Sequence, residues 1–220
     1  GLIKPSDGSL SVLGHDPASG AALRCRNGVG FLPENVVFDG AHSGRAVLRF
    51  FARLKGEQVG CTDALLDLVG LTAAADRKVR TYSKGMRQRL GLAQALIGAP
   101  RVLFLDEPTS GLDPAAQAHF YEIVSDLKAG GASILICSHA LTELEAQADL
   151  VAMMNSGRLM ACAGLTELRR RAQLPTHIRV RVPDGQAPQV ATRLQDAGTP
   201  VAVNGSHLEL AIAAEHKMEL

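Results

Sequence analysis

The stretch that most constrains the fold runs from residue 101 to 139. Within it, Val102-Leu103-Phe104-Leu105 and Ile134-Leu135-Ile136 are runs of consecutive large apolar residues. Neither alternates with polar residues, so each suits a fully buried strand of a parallel sheet. Between them, Asp113-Pro114 marks a helix start, an N-cap followed by proline at the first helical position. Ala116, Phe120, Ile123, Val124 and Leu127 make its apolar stripe, and Gly130-Gly131 ends it. Strand, helix, strand in that order predicts a right-handed βαβ unit within an α/β fold. The first strand ends in Asp106-Glu107 and the second in Ser138-His139. The carboxyl ends of such strands are where α/β sheets place their ligands.

The remaining texture is read around this unit. Residues 8–13 alternate and predict a strand entered through the turn Pro5-Ser6-Asp7-Gly8. Residues 28–33 predict a second short strand, stopped by Pro33. From about 43 to 98 the pattern is helical, with stripes Val47-Leu48-Phe51-Leu54, Leu65-Leu66-Val69 and Met86-Leu90-Ala93-Ile97. Leu150–Ala163 predicts a hairpin turning at Asn155-Ser156-Gly157. Arg169-Arg170-Arg171 is expected on the solvated face of a short helix. From Pro175 the chain predicts a small α+β appendage: strand HIRVRV, helix 187–197, a hairpin turning at Asn204-Gly205, and a further helix at His216–Leu220.

Composition narrows the function. A net charge of +1 excludes a sequence-independent nucleic-acid binder, which needs a basic face. No apolar run approaches the ~18 residues that cross a bilayer. Cys25, Cys61, Cys137 and Cys162 form no Cys-x-x-Cys, so they are expected to be buried thiols of a reducing cytoplasm. The histidines lack metal-ligand spacing.

Four short motifs carry chemistry in a fixed order. A carboxylate at the end of an apolar strand, Asp106, can hold the magnesium of a nucleotide, and Glu107 beside it can take a proton from attacking water. Ser83-Lys84-Gly85-Met86 opens a helix, where free N–H groups, a serine and a glycine admit a phosphate. Ser110-Gly111-Leu112-Asp113 follows the acids, and His139 ends the next strand. Singly, each has an ordinary structural reading as a cap or a strand end. Jointly, over about residues 1–170, the set closely resembles the ATP-binding subunits of ABC transporters. Ser83, Lys84, Gly85 and Met86 match the family signature, normally written LSGGQ, with Lys84 and Met86 departing from it. Asp106 and Glu107 match the Walker B acids, Gly111-Leu112-Asp113 the D-loop, and His139 the switch histidine. Phe31-Leu32-Pro33-Glu34-Asn35 matches the Q-loop, with Glu34 where most members have glutamine. A carboxylate there can meet magnesium or water but donates no hydrogen bond unless protonated.

The resemblance implies a P-loop NTPase-like ABC ATPase domain over 1–172, with a helical subdomain at about 36–98 and an incomplete α+β domain over 175–220. It implies ATP and Mg2+ as cofactors, with Ser83, Lys84, Gly85 and Met86 serving a partner's ATP. Glu107 and His139 are then catalytic, Asp106 and possible metal ligand Glu34 meet magnesium, and Asp113 belongs to the nucleotide site. The phosphate loop G-x-x-x-x-G-K-[S/T] is absent: Lys4, Lys55, Lys78, Lys84, Lys128 and Lys217 all precede residues other than Ser or Thr. The chain therefore reads as a fragment of such a domain, not expected to turn over ATP alone. The implied partners are a second ATPase subunit, an integral membrane permease and, indirectly, a periplasmic accessory protein, on the cytoplasmic face of a bacterial inner membrane. GFLPENVVF, SGRAVLRFFARLKG and TYSKGMRQRLGLAQAL look like the branch that processes copper for nitrous-oxide reductase maturation. ATPases of drug, haem or polysaccharide exporters, and soluble ABC proteins without a permease, are the alternatives.

Overall fold

The computed structural model describes residues 5–19, 26–139, 147–171, 176–183, 185–196 and 200–212. The chain forms two compact units, Gly1–Leu141 and Thr142–Leu220. The hairpin over 151–163 belongs to the second unit. The helix expected at His216–Leu220 lies outside the described residues.

The first unit is built on three parallel strands, β1 (Val29–Leu32), β2 (Val102–Asp106) and β3 (Ser133–Cys137), in the order β1-β2-β3. Leu32 pairs with Leu105 and Asp106 with Cys137, so the carboxyl ends of the strands share one edge. Among the described residues the α-helices that accompany them include α1 (Gly44–Lys55), α2 (Cys61–Leu68), α3 (Lys84–Ala95) and α4 (Pro114–Ala129). The α4 helix connects β2 to the parallel β3, as the apolar runs predict. Asp113 caps it, its carboxylate accepting the Ala116 amide at 2.9 Å.

Helix α3 runs antiparallel to β1 and lies directly on it. A side chain at Gly30 would strike the Ala95 carbonyl, and one at Gly91 would come within 2.7 Å of Leu32 Cδ1. Two residues up the strand thus match one turn down the helix. The N-terminus of α3 therefore stands at the carboxyl edge of the sheet. Glycine is required at position 30, where the obstacle is backbone, while at position 91 a side chain would have to displace methyl groups of Leu32 and Val36.

The strands are covered on one face. Leu32, Leu103 and Leu105 are at most 2% exposed, in a core with Leu48, Leu66, Leu90 and Phe120. On the other face Phe31, Phe104 and Leu135 align across the three strands, and Phe31 and Leu135 are more than half exposed. The expectation of strands buried on both sides is corrected: among the described residues, only one side has a covering. The helical stripes need one correction too. Leu54 is 72% exposed, and Ala52 is the buried residue at that end of α1.

The strand predicted at 8–13 is not formed; the segment has a single bridge, Val12 to His15. Leu13 and Gly14 both take positive φ, at 51° and 79°, which folds the chain back on itself. Alternation there found no neighbouring strand to pair with. The expectation of buried thiols is corrected for Cys61, Cys137 and Cys162, which are exposed and free of disulfides, and Cys25 lies outside the described residues.

In the second unit, β4 (Val151–Asn155) and β5 (Arg158–Ala163) form the predicted hairpin. Ser156 and Gly157 both have positive φ, as a type I′ turn demands. Helix α5 (Leu165–Arg171) carries its arginines exposed, and Arg170 and Arg171 hold the Glu167 carboxyl down to about 2. A three-stranded sheet of β6 (Thr176–Arg181), β8 (His207–Ile212) and β7 (Val201–Asn204) packs with α6 (Ala187–Asp196) around Leu208, Leu210, Ala187 and Ala191. The central residues of its hairpin turn are Gly205 and Ser206, one position later than predicted, because Asn204 still pairs with His207.

Candidate functional site

The carboxyl edge of the β1–β2–β3 sheet gathers nearly every residue singled out from the sequence. Glu107 follows β2 and takes φ of 44°, a left-handed conformation unusual for a residue with a side chain. Its backbone is fixed on both sides: its amide donates to Cys137 O at 2.9 Å, and its carbonyl accepts from the Ser110 amide at 3.1 Å. The bend directs the carboxylate toward the end of β3. There Oε1 accepts the His139 amide at 3.0 Å and lies 2.9 Å from His139 Nδ1. The Glu107 side chain is 22% exposed and His139 is 89% exposed, so the pair lies at the surface with its acid partly sheltered. Asp106 closes β2 in register with Cys137, and Glu34 is exposed two residues beyond the end of β1.

The second cluster is the turn that opens α3. Ser83 has extended backbone, and its Oγ accepts the Met86 amide at 3.1 Å, an ordinary serine cap. A Cβ on Gly85 would come within 2.9 Å of Gly111 O. Gly111, with φ of 78°, in turn faces the Lys84 stem, whose Cδ would be 2.7 Å from any Cβ there. Lys84 Nζ donates to Ser110 Oγ at 2.8 Å. The turns 83–86 and 110–113 are therefore packed against each other. Met86 is the exception, since its side chain packs inward against the core.

One residue, Gln88, and one contact, Lys84 with Ser110, were not singled out from the sequence. Gln88, 3% exposed in α3, reaches the Glu107 carbonyl through Nε2 at 3.5 Å. Ser110 holds Lys84. A glutamine interrupting a buried stripe is the one signal that pointed to the first; nothing in the local pattern pointed to the second.

The family model for the ABC transporter matches residues 1–110, half of the chain. The chain belongs to the ABC transporter ATP-binding protein family. A solved ATP-binding subunit of an ABC transporter superposes with a TM-score of 0.71 at 29% identity, covering 78% of this chain and 73% of that one. The chain is 41% identical over 174 residues to an uncharacterised ABC transporter ATP-binding protein of Nostoc sp., covering 76% of this chain and 51% of that protein. It is 38% identical to the daunorubicin resistance ATP-binding protein of Streptomyces coeruleorubidus, over 76% of this chain and 54% of that one. The chain spans about half the length of these curated relatives. Among the described residues no helix is long and apolar enough to cross a membrane.

Proposed function

We propose that the chain is the catalytic part of an ABC transporter ATPase subunit, which binds and hydrolyses ATP with magnesium to drive a membrane permease. The convergence of the Glu107–His139 pair with the packed turns 83–86 and 110–113 on one sheet edge carries this reading. Magnesium suits the residues present. Carboxylate oxygens of Asp106 and Glu34 are hard donors, and among the described residues no cluster of three or more His, Cys, Asp or Glu forms a metal cage. One or two carboxylates completed by phosphate oxygens is how this ion is ordinarily held.

When bound, ATP with magnesium supplies the terminal phosphoryl group that water attacks. Asp106 would hold the ion at the end of β2. Glu107 would take the proton of the attacking water at its carboxylate, a role worth roughly 10²–10⁴-fold in rate. His139 would orient that carboxylate through the two contacts to Oε1. Ser83, Lys84, Gly85 and Met86 would serve the nucleotide of a second subunit, with the backbone amides at the start of α3 favouring its negative charge. Asp113 would act mainly by keeping the turn before α4 in place, since its carboxylate is engaged as a cap.

ATP turnover by the full-length gene product that carries this chain is the test. Glu107→Gln should abolish turnover there and leave nucleotide binding intact. The 220-residue chain alone, without a G-x-x-x-x-G-K-[S/T] loop, should show no turnover above its own Glu107→Gln control. A Glu107→Gln full-length protein of undiminished activity would remove the assignment.

The finer reading places the partners at a bacterial inner membrane, with the subunit peripheral on its cytoplasmic face. A copper-processing role in nitrous-oxide reductase maturation rests on the resemblance of the segments GFLPENVVF, SGRAVLRFFARLKG and TYSKGMRQRLGLAQAL, and its periplasmic accessory partner rests on the same segments. A drug exporter is the second reading, supported by the daunorubicin resistance relative. The permease and accessory genes beside this one separate the two.

A further inference from the structure

The C-terminal end of α2 is held by side chains from two other helices. Arg89 of α3 donates through Nη1 to Val69 O at 3.2 Å and to Gly70 O at 3.0 Å. His119 of α4 places Nε2 2.7 Å from Leu68 O. Its other ring nitrogen, Nδ1, lies 3.2 Å from Glu122 Oε2, one turn further along α4. The last carbonyls of a helix have no donor within it, so such side chains satisfy them.

The two partners of His119 decide its chemistry. A backbone carbonyl only accepts hydrogen bonds, and so does an ionised carboxylate. An imidazole donates from both nitrogens only when doubly protonated. In a neutral ring, one lone pair would face either Leu68 O or the Glu122 carboxylate. The observed geometry is satisfied in full by the imidazolium form alone.

We propose that His119 is a proton-operated clasp that holds the end of α2 to α4 when doubly protonated and loosens it when neutral. Three groups face the ring: the Leu68 carbonyl from α2, Glu122 from its own helix, and Arg89 from α3. Asp67, the acid next to Leu68, accepts from Thr72 Oγ1 instead. The Leu68 carbonyl and then the Glu122 carboxylate raise His119 above the ordinary imidazole value, against burial and the Arg89 charge. The clasp is therefore complete below the ordinary imidazole value; as pH rises through the raised one the ring loses its charge and its donor to Glu122, and the tie to Leu68 O weakens to that of a neutral N–H.

Its position gives the clasp a reach beyond α2. Helices α3 and α4 begin at Ser83 and Asp113, the two turns of the candidate site. The cleft beside His119 is lined by Val69, Leu92, Leu112, Phe120 and Ile123, so it touches α2, both helices and the turn before α4. Protonation of one side chain thus sets how firmly α2 is tied to the helices that present the site.

Hydrogen exchange on the whole chain between about pH 6 and about pH 8.5, spanning imidazole titration, reads this directly. The amides of Val69, Gly70 and Leu71 donate to Leu65 O, Asp67 O and Leu66 O at 3.2, 2.9 and 2.8 Å. After correction for intrinsic rates, their protection should fall several-fold relative to the amides of β2. The midpoint should match the His119 ring titration followed by NMR in the same chain, a comparison that needs no variant. His119→Gln keeps a donor but has no proton to lose, and the pH dependence should vanish in it. Protection that stays flat in the parent chain, a midpoint that departs from the ring's, or a pH dependence that survives in His119→Gln overturns the clasp.

Discussion

The two faces of the β1–β2–β3 sheet are made of similar residues and live in different surroundings. On one face Leu103 is fully buried beneath the helices; on the other, in the same sheet, Leu135 is 55% exposed. The difference arises from α3. It reaches the first face through Gly30 and Gly91, where the absence of side chains lets a helix lie directly on the strand. The row Phe31–Phe104–Leu135 on the second face leads up to Asp106 and Cys137 at the edge of the candidate site. An uninterrupted apolar run therefore says that a strand can be covered on both sides. It does not say what covers each side.

Four substitutions probe this contrast. Leu103→Ala should have the largest effect, a loss of about 2–5 kcal/mol, because it leaves a cavity in close-packed surroundings. Urea denaturation of the chain measures it. Gly30→Ala should come next at about 1–3 kcal/mol, since the new methyl meets a backbone carbonyl that cannot step aside without moving α3. The same denaturation series, together with the circular dichroism of the folded state, would show whether the helix shifts or the sheet gives way. Leu135→Ala should be smallest, within about 0.5 kcal/mol, as expected for a surface position. Were it to cost as much as Leu103→Ala, the second face would be covered in solution and the contrast would fail. Leu135→Ser should also lower self-association in light scattering, because an exposed apolar row favours contact between molecules.

Much of the first unit was legible because its signals are local. The cap at Asp113, the stripe of α4 and the glycines that close it depend on neighbours within a few residues, and all were read correctly. The type I′ turn at Ser156-Gly157 was legible for the same reason. The strand at 8–13 was misread because alternation fixes which residues share a side of a strand but supplies no partner strand. Leu54 was misread because a stripe of four apolar residues is longer than the surface α1 buries.

The candidate site divides along the same line. Ser83, Asp106, Glu107 and His139 could be named from motif and order. The contact between Lys84 and Ser110 could not, because it joins residues of two separate turns that only the packing of α3 against the end of β2 brings together. The support that Gln88 gives to the Glu107 carbonyl was hidden for a similar reason. The His119 contact to Leu68 spans a greater separation still, and a surface histidine carries no sequence mark of its partner.

The positive φ of Glu107 has an evolutionary consequence. A side chain in that conformation costs on the order of 1–3 kcal/mol, which glycine would avoid. A population of variants selected only for remaining folded should drift toward glycine or asparagine at 107. One selected for turnover should hold glutamate there and tolerate the weaker fold. Position 107 is where the two selections pull apart, and sequencing survivors of each would reveal which of them shaped this chain.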